Sequence, residues 1–182
     1  MASRVQVVPP LIATYRYATL AFAPVATPTD IVVIQGSDNA VVQIKLIRLY
    51  GVATAAGNMP AQLVRRSTAN TTNGVLTAIT PGKHDKQDGA PKATVSTVGT
   101  ANFGSLGTSQ GVLGAGRVQM AASGTGVAAL PLVWDFSKRL DKPLILRGAL
   151  DFVCINMNGA AIPAGGVLDI EIETEEVGLG QI

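Results

Sequence analysis

VLDIEIETEE, residues 167–176, alternates apolar and polar side chains along most of its length. The apolar residues fall on one side of an extended chain: Leu168, Ile170 and Ile172. The acids fall on the other side: Asp169, Glu171, Glu173 and Glu175. A period of two residues predicts a half-buried antiparallel β-strand.

Similar patterns recur upstream, and helical periodicity is hard to find. Residues 30–36, DIVVIQG, form a short apolar run that predicts a buried strand. Residues 41–50, VVQIKLIRLY, alternate until Leu46-Ile47, where a slip of one position predicts a β-bulge or a strand buried on both faces. Residues 144–157, LILRGALDFVCINM, predict a long strand, and we expect residues 144–177 to form a C-terminal hairpin with a broad loop.

The middle of the chain, residues 67–126, is rich in Ser, Thr, Gly, Ala and Asn. It contains three weak strand patterns: VLTAIT, ATVSTVG and GRVQMAA. Residues 81–92, PGKHDKQDGAPK, predict an exposed loop. Residues 99–117, GTANFGSLGTSQGVLGAGR, approach low complexity, and because Gly weakens regular structure we expect an extended loop ordered by contact with a partner.

About eight short strands and few helices predict an all-β fold. We expect an antiparallel β-sandwich, jelly-roll-like, with long loops. Residues 1–13 contain Pro9-Pro10 and predict an extended N-terminal arm. Residues 14–182 are expected to form a single sandwich domain with a Gly/Ser/Thr-rich insertion around 67–126.

The composition predicts association with other protein surfaces. Only 14% of the 182 residues are charged, against about 25% in a typical domain. The surface must therefore be largely neutral, which favours an obligate oligomer or a subunit of a larger assembly. The net charge is +2 and the basic residues are scattered, so we expect no nucleic-acid partner.

Redox and targeting features are sparse. The single Cys154 lies in an apolar run, where a buried thiol is expected and an intrachain disulfide is impossible. The first residues, MASRVQVVPP, have no long apolar segment of the kind a signal peptide needs, and no window reaches the ~18 apolar residues of a membrane helix. We expect synthesis in a cytoplasm and no membrane partner.

Candidate catalytic groups are isolated. His84 beside Asp85 could act as a general base, but a lone His in a charged, Gly-flanked loop is more typical of a solvated side chain. A metal site of His84, Asp85 and Asp88 matches no recognised spacing. The acidic row of residues 169–176 admits three interpretations: a hydrolase carboxylate pair, a solvent-facing row, or a contact with a basic patch on a partner. We predict no enzymatic activity and no cofactor.

An arginine pair ends the segment LVRRST, residues 63–68. In a strand, Arg65 and Arg66 point to opposite faces, so at most one lies over the core, where it would need a carboxylate. Asp151 or the terminal acidic row could supply that partner. An intersubunit contact, an intrachain salt bridge and a bare surface pair remain as alternatives.

VWDFSKRLDKP, residues 133–143, alternates Trp134 and Phe136 with Asp135 and then turns. It is typical either of core aromatics followed by a charged turn or of an interface corner, because Trp and Arg are enriched at binding hot spots. The candidate interface residues are Arg65, Arg66, Trp134, Lys138, Arg139, Arg147, Glu171 and Glu173.

Three segments, in order, resemble small virion proteins of tailed bacteriophages: IRLYGVATAAGNMPAQLVRRSTANTTNG, VWDFSKRLDKPLILRG and NMNGAAIPAGGVLDIEIETEE. The resemblance covers roughly residues 44–176. It implies a structural virion protein, jelly-roll-like, that decorates or cements the capsid surface. It implies the major capsid protein as a partner. Because subunits commonly close into symmetric oligomers, we also expect further copies of the chain as partners, in a dimer or trimer.

Other functional classes remain open on the sequence. A head-fibre, tail or baseplate component is the structural alternative. A jelly-roll carbohydrate-binding module that recognises a host glycan is the alternative from another class. Such a module would use exposed aromatic side chains, for which the candidates are Trp134, Tyr15, Tyr17, Tyr50 and Phe103.

Overall fold

A computed structural model describes residues 12–126, 128–137 and 143–178. Strands are the only regular secondary structure among these residues, so the all-β prediction is confirmed. The strands are β1 (Ala13–Phe22), β2 (Asp30–Gln35), β3 (Ala40–Ala53), β4 (Gly57–Arg66), β5 (Leu76–Ala78), β6 (Pro81–Lys83), β7 (Thr94–Val98), β8 (Ser109–Ala122), β9 (Leu132–Asp135), β10 (Leu144–Arg147), β11 (Phe152–Asn156) and β12 (Val167–Gly178). The predicted N-terminal arm lies outside the described residues except for Ile12 and Ala13.

The strands form one continuous sheet in the order β5-β7-β2-β11-β4-β8-β3-β12-β1-β6. Neighbouring strands are antiparallel except β3 and β8, which run parallel. The sheet is therefore mixed. The prediction of a purely antiparallel arrangement is wrong at this one pair of strands. It curls into a half-barrel in which β8 joins one half of the sheet to the other.

The long strand β3 organises one half of the sheet. One edge of β3 pairs with β12 along nearly its whole length. The other edge pairs in turn with β10, β9 and β8, opposite residues 41–44, 46–49 and 51–53 of β3. Three separate segments therefore converge on one strand, and this convergence brings β10 beside the end of β4.

The two halves share one hydrophobic core. Buried side chains from both halves belong to the same cluster, among them Ile34 of β2, Leu63 of β4, Ile47 of β3 and Ile172 of β12. Full burial of each such side chain stabilises the fold by roughly 1.5–3 kcal/mol. The predicted alternation of β12 is confirmed for Leu168, Ile170 and Ile172, which are buried, and for the row from Asp169 to Glu175, which is half-buried on the other side. Glu176, which the sequence placed in that row, is instead buried and accepts the backbone N–H groups of Lys92 and Ala93.

A second, smaller cluster lies on the outer face of β2 and β11. It contains Val33, Val98, Phe103, Phe152 and Cys154. Strands β2 and β11 are thus buried on both faces, which explains their unbroken apolar runs. Burial raises the pKa of the Cys154 thiol, as expected for a thiol in an apolar site.

The predicted irregularity in β3 is a bulge. Glu173 lies opposite Leu46, whereas Thr174 lies opposite Ile44, so Lys45 is the extra residue. The bulge is slightly upstream of Leu46-Ile47, where the sequence pattern slips. Its effect is to place Lys45 on the same side as the acidic row of β12, with its Nζ 3.0 Å from Glu175.

The predicted C-terminal hairpin is wrong. Residues 144–157 are interrupted at Gly148, which has a φ of 88° that favours glycine, and Asp151 closes the turn by donating its N–H to the Gly148 carbonyl. Strand β11 then pairs with β2 and β4, whereas β12 pairs with β3 and β1. The connection between them crosses from one half of the sheet to the other.

The middle segment contains more strand than predicted. The weak strand patterns correspond to β5, β7 and the second half of β8. The exposed loop predicted for residues 81–92 is shorter than expected, because Pro81–Lys83 form β6 and pair with β1, and only residues 84–92 form a largely exposed loop. The low-complexity segment was expected to be a loop, but from Ser109 onward it belongs to β8, which pairs with β4 along its whole length. Its glycines allow close packing: a Cβ at Gly114 would lie 2.9 Å from the Trp134 ring nitrogen.

Candidate interface site

Arg65 and Arg66 are the last residues of β4 and point to opposite faces, as predicted. Arg65 lies opposite Val153 of the main core side, and Arg66 lies opposite Phe152 of the outer cluster. Both have carboxylate partners within the chain. Of the three alternatives, the intrachain salt bridge is therefore the one that the structure contains.

Arg66 is buried, with 5% of its surface exposed. Its Nε and Nη2 donate to the two oxygens of Asp30 at 2.8 and 2.9 Å, and its Nη1 donates to the Gly107 carbonyl at 2.7 Å. Burial alone would lower the pKa of Arg66, but the hydrogen bonds and charge of Asp30 outweigh it and the pKa is raised. A guanidinium enclosed in this way has little surface to offer another molecule.

Asp30 is the centre of a buried hydrogen-bond network. Besides the two Arg66 bonds, its oxygens accept bonds from the side-chain amides of Asn70 and Asn156, at 2.7 and 2.6 Å. A carboxylate that is almost fully buried requires this number of donors, because an uncompensated buried charge is costly. The network joins β2, β4 and β11 to the loop after β4.

Arg65 is more accessible, with about a third of its side chain exposed (33%). Its Nε donates to Asp151 Oδ1 at 3.0 Å, and its Nη2 donates to the Ile145 carbonyl at 3.0 Å and to Asp151 Oδ2. Asp151 Oδ2 also accepts the backbone N–H of Arg147 at 2.9 Å. Arg65 therefore ties β4 to β10 and to the turn that follows β10.

These contacts form one wall of a surface depression of about 390 Å³, which we call the arginine depression. Its lining includes three of the predicted interface residues, together with acidic, amide and apolar side chains: Arg65, Arg66, Arg147, Asp38, Asp151, Gln110 and Leu150. Arg147 is exposed, and none of the described residues is bonded to its guanidinium. Leu150 is 70% exposed.

The arginine depression can bind an anionic group beside an apolar one. A guanidinium offers paired N–H donors that match a carboxylate or a phosphate. Arg147 has no partner for its guanidinium within the described part of the chain, whereas Arg65 and Arg66 are engaged. Leu150, on the turn between β10 and β11, adds an exposed apolar side chain at the rim.

Glu171 and Glu173 lie elsewhere, on the half-buried side of β12. The Arg16 guanidinium forms salt bridges with both carboxylates, and its distance to Glu171 is 2.9 Å. Arg48 forms a further salt bridge with Glu171, at 3.1 Å. The hydrogen bond to Glu173 is the main cause of the raised pKa of Arg16. The acidic row is thus balanced by basic residues of β1 and β3, as a charge ladder within the chain.

Trp134 is on β9 and is half-buried against the main core. Its ring lies over Gly114 of β8. A groove of about 400 Å³ beside it is lined by half-exposed Leu113 and Val133. Lys138 and Arg139, predicted for the same interface corner, lie outside the described residues.

The other aromatic candidates are largely enclosed. Tyr15 and Tyr17 are buried and donate their hydroxyls to the carbonyls of Gly89 and Ala93. Phe103 is buried and Tyr50 is half-buried. His84 lies in the exposed loop.

The described residues contain no cluster of three or more His, Cys, Asp or Glu side chains placed to hold a metal ion. They also contain no helix with the length and hydropathy needed to cross a membrane.

The sequence analysis missed Asp30, Asn70 and Asn156. The signal that could have indicated Asp30 is its position: a carboxylate directly before a run of buried residues, IVVI, needs a buried partner. Comparison with protein-family models, with curated proteins and with solved structures gave no match.

Proposed function

We propose that this protein is a non-enzymatic structural component of a phage virion, a decoration protein that binds the outer capsid shell and stabilises neighbouring major capsid subunits. The proposal rests first on the sequence resemblance described above. The low charge and the all-β architecture are compatible with it, and the finer assignment to a jelly-roll-like sandwich belongs to the same proposal. The observation that carries the binding part is the arginine depression.

In this proposal the arginine depression contacts a major capsid subunit. Arg147 receives a carboxylate of the partner, and Leu150 inserts into an apolar site next to it. The Arg65–Asp151 pair holds the rim of the depression in position, since it fixes the turn that carries Leu150. Each contact is small, but a capsid offers many equivalent sites, and linked copies bind with increased avidity.

Self-association as a dimer or trimer is part of the proposal. Residues 104–134 contain a single charged residue, Arg117, and carry exposed apolar side chains at Val112, Leu113, Leu130 and Val133. Uncharged surfaces can meet across a symmetry axis without opposing like charges. Static light scattering of the purified chain is expected to give two or three times the monomer mass, and a monomer at all concentrations would contradict this part.

The binding proposal is tested with Arg147→Glu and Leu150→Asp. The matched control is Lys86→Glu, a charge reversal in the exposed loop of residues 84–92, which does not line the arginine depression. Each variant is mixed with particles of the encoding phage from which the native protein has been stripped, and bound protein is measured by co-sedimentation. We expect both depression variants to bind at least about tenfold more weakly, as for loss of a hot-spot contact, with the control unchanged. Equal binding of all four proteins would overturn the proposal.

Electron microscopy of intact particles separates the locations. Regular density on the shell supports a decoration protein, whereas density on a head fibre, the tail or the baseplate supports the structural alternative. The carbohydrate-binding alternative predicts retention on a glycan array that is lost in Tyr50→Ala. The packing of Trp134 against the core and the burial of Phe103 weaken that alternative.

A further inference from the structure

Two loops form a separate layer over the outer face of the sheet. Residues 67–75 connect β4 to β5, and residues 99–108 connect β7 to β8; together we call them the strap. Thr71 and Ser105 exchange backbone hydrogen bonds in both directions, at 2.9 and 3.1 Å. Further backbone bonds join Gly104 to Thr72 and Ser67 to Thr108. The two loops are therefore joined to each other along their length.

Glycines let the two loops approach closely. A Cβ at Gly107 would lie 1.9 Å from the Thr68 carbonyl oxygen. A Cβ at Gly74 would lie 2.4 Å from the Phe103 ring. Because side chains are excluded at these contacts, the loops interlock tightly, and motion of one requires motion of the other.

The strap is attached at few points to the sheet and to the loop that precedes β2. Asn70 donates to Asp30, and the Gly107 carbonyl accepts from Arg66. Asn102 accepts the backbone N–H and the hydroxyl of Thr29 and donates to the Thr27 carbonyl, at 2.8, 3.1 and 2.8 Å. Phe103 supplies the apolar attachment, since it packs in the outer cluster with Cys154. The exposed side of the strap is mostly Ser, Thr, Asn and Gly.

Opening of the strap would leave the buried charges paired. Asp30 keeps its two bonds to Arg66 and its bond to Asn156, which belong to β2, β4 and β11. Of the hydrogen bonds made by this ion pair, only those from Asn70 to Asp30 and from Arg66 to the Gly107 carbonyl break, and water can replace them. The cost that usually prevents local opening around a buried ion pair is therefore absent.

We propose that the strap opens and closes as a unit while the curled sheet stays folded, and that opening uncovers the apolar outer cluster around Cys154. The closed strap is held by hydrogen bonds to Asp30, Arg66 and Thr29 and by the packing of its own Phe103 in the outer cluster. Segments with few apolar contacts and polar attachments are those that open below the free energy of global unfolding. The inference concerns this chain alone and does not depend on the proposed function.

Cys154 provides the probe, because it is the single cysteine of the chain and is 1% exposed when the strap is closed. Its reaction with an aromatic disulfide reagent is followed in native buffer and in a urea series, beside global unfolding measured by circular dichroism. We expect the rate at low urea to exceed the rate calculated from global unfolding by at least about tenfold, with a weaker urea dependence. A rate equal to that of global unfolding throughout the series would overturn the proposal.

Variants of the strap supply a second measurement. Asn70→Ala and Asn102→Ala remove attachments of the strap. We expect Asn70→Ala to increase the labelling rate several-fold, by about the factor that one lost hydrogen bond produces, and Asn102→Ala to increase it more, because Asn102 makes three bonds outside the strap. Asn58→Ala, on the exposed side of β4 and bonded to Arg117, is the control and should leave the rate unchanged. If the strap variants change the labelling rate only in proportion to their loss of global stability, the strap does not open separately from the sheet and the proposal is wrong.

Discussion

At the scale of single residues, the two arginines of β4 show how burial decides the value of an ion pair. Arg66 and Asp30 are both nearly fully buried, whereas Arg65 is a third exposed (33%) and Asp151 is 15% exposed. Removal of one partner from a buried pair leaves an uncompensated charge, but an accessible partner can turn to water. The loss of the carboxylate partner is therefore expected to destabilise the fold far more at Arg66 than at the adjacent Arg65.

We predict that Asp30→Ala lowers the free energy of unfolding by about 3–5 kcal/mol, because Arg66 and two amides lose their acceptor in a buried site. We predict that Asp151→Ala lowers it by about 1 kcal/mol, because Arg65 can rehydrate. Urea unfolding of both variants and the wild type measures the difference. Equal losses would show that the Arg65 pair is as enclosed as the Arg66 pair, contrary to the structure.

Glycine positions in the strap offer a second test at this scale. Gly107→Ala places a methyl group where the Thr68 carbonyl stands, and we expect it to destabilise the fold by about 1–3 kcal/mol, as overpacking does. Gly89→Ala is the control, since nothing lies within 4 Å of its Cβ position and its φ is not in the left-handed region. A loss at Gly89 as large as that at Gly107 would assign the effect to the backbone rather than to close packing. Thermal unfolding of both variants gives the comparison.

At the scale of elements, local patterns were predictable and pairings were not. The alternation of β12 is contained in ten residues, and the structure places its apolar side in the core. The partners of β12 are β3 and β1, both more than a hundred residues upstream, and no local signal distinguishes them from the expected partner near residues 144–157. The predicted hairpin failed for this reason.

The element that the sequence concealed is β8. Its first half reads as a loop because Gly is frequent, yet Gly114 and Gly116 are where Trp134 and Leu132 pack against the strand. The requirement for Gly there comes from another element. The candidate interface shows the same limit. Asp151, 86 residues from Arg65, was foreseen as a partner for an arginine, whereas Asp30, only 36 residues from Arg66, was not. Asp30 reaches Arg66 because β11 pairs with both β2 and β4, and that pairing has no local signal in the sequence.

Strand β12 gives a prediction at this scale, since neighbouring residues have opposite environments. Ile172→Ala should lower the free energy of unfolding by about 2–5 kcal/mol, because it leaves a cavity in the shared core. Glu173→Ala should cost less than about 1 kcal/mol, because its ion pair with half-exposed Arg16 is screened by water. Chemical denaturation at low and at high salt distinguishes the two effects. The loss of unfolding free energy in Glu173→Ala should shrink as salt is added, whereas that in Ile172→Ala should not. A salt-dependent loss at Ile172 would be inconsistent with a core position.

At the scale of the whole molecule, the structure shows internal ion pairs for five of the 14 basic residues. The buried pair, the Arg65 pair and the ladder on β12 together engage five basic side chains with acids of the same chain. The remaining surface is mainly neutral. Arg147 is a basic side chain outside these pairs, which is why the proposed binding function is assigned to the arginine depression and not to the ladder.

Buried tyrosines beside a carboxylate make the stability of the whole molecule sensitive to alkaline pH. Burial raises the pKa of both Tyr15 and Tyr17, and the charge of nearby Glu176 adds to each rise. A folded-state pKa above the unfolded value of about 10 means that the stabilisation is complete below about pH 10. It is lost as the pH rises from there through the folded pKa.

We therefore predict that the tyrosine contribution to the free energy of unfolding falls above about pH 10, and that Tyr17→Phe makes this part of the fall shallower by up to about 1.4 kcal/mol per pH unit. At neutral pH the variant should lose only about 0.5–1.5 kcal/mol, the value of the hydrogen bond from Tyr17 to the Ala93 carbonyl. Cys154 also has a raised pKa, but it is present in both proteins and its contribution cancels in the difference. Urea unfolding at a series of pH values tests the prediction. Parallel curves for the two proteins would mean that Tyr17 ionises as easily in the folded chain as in the unfolded one, which is incompatible with its burial beside Glu176.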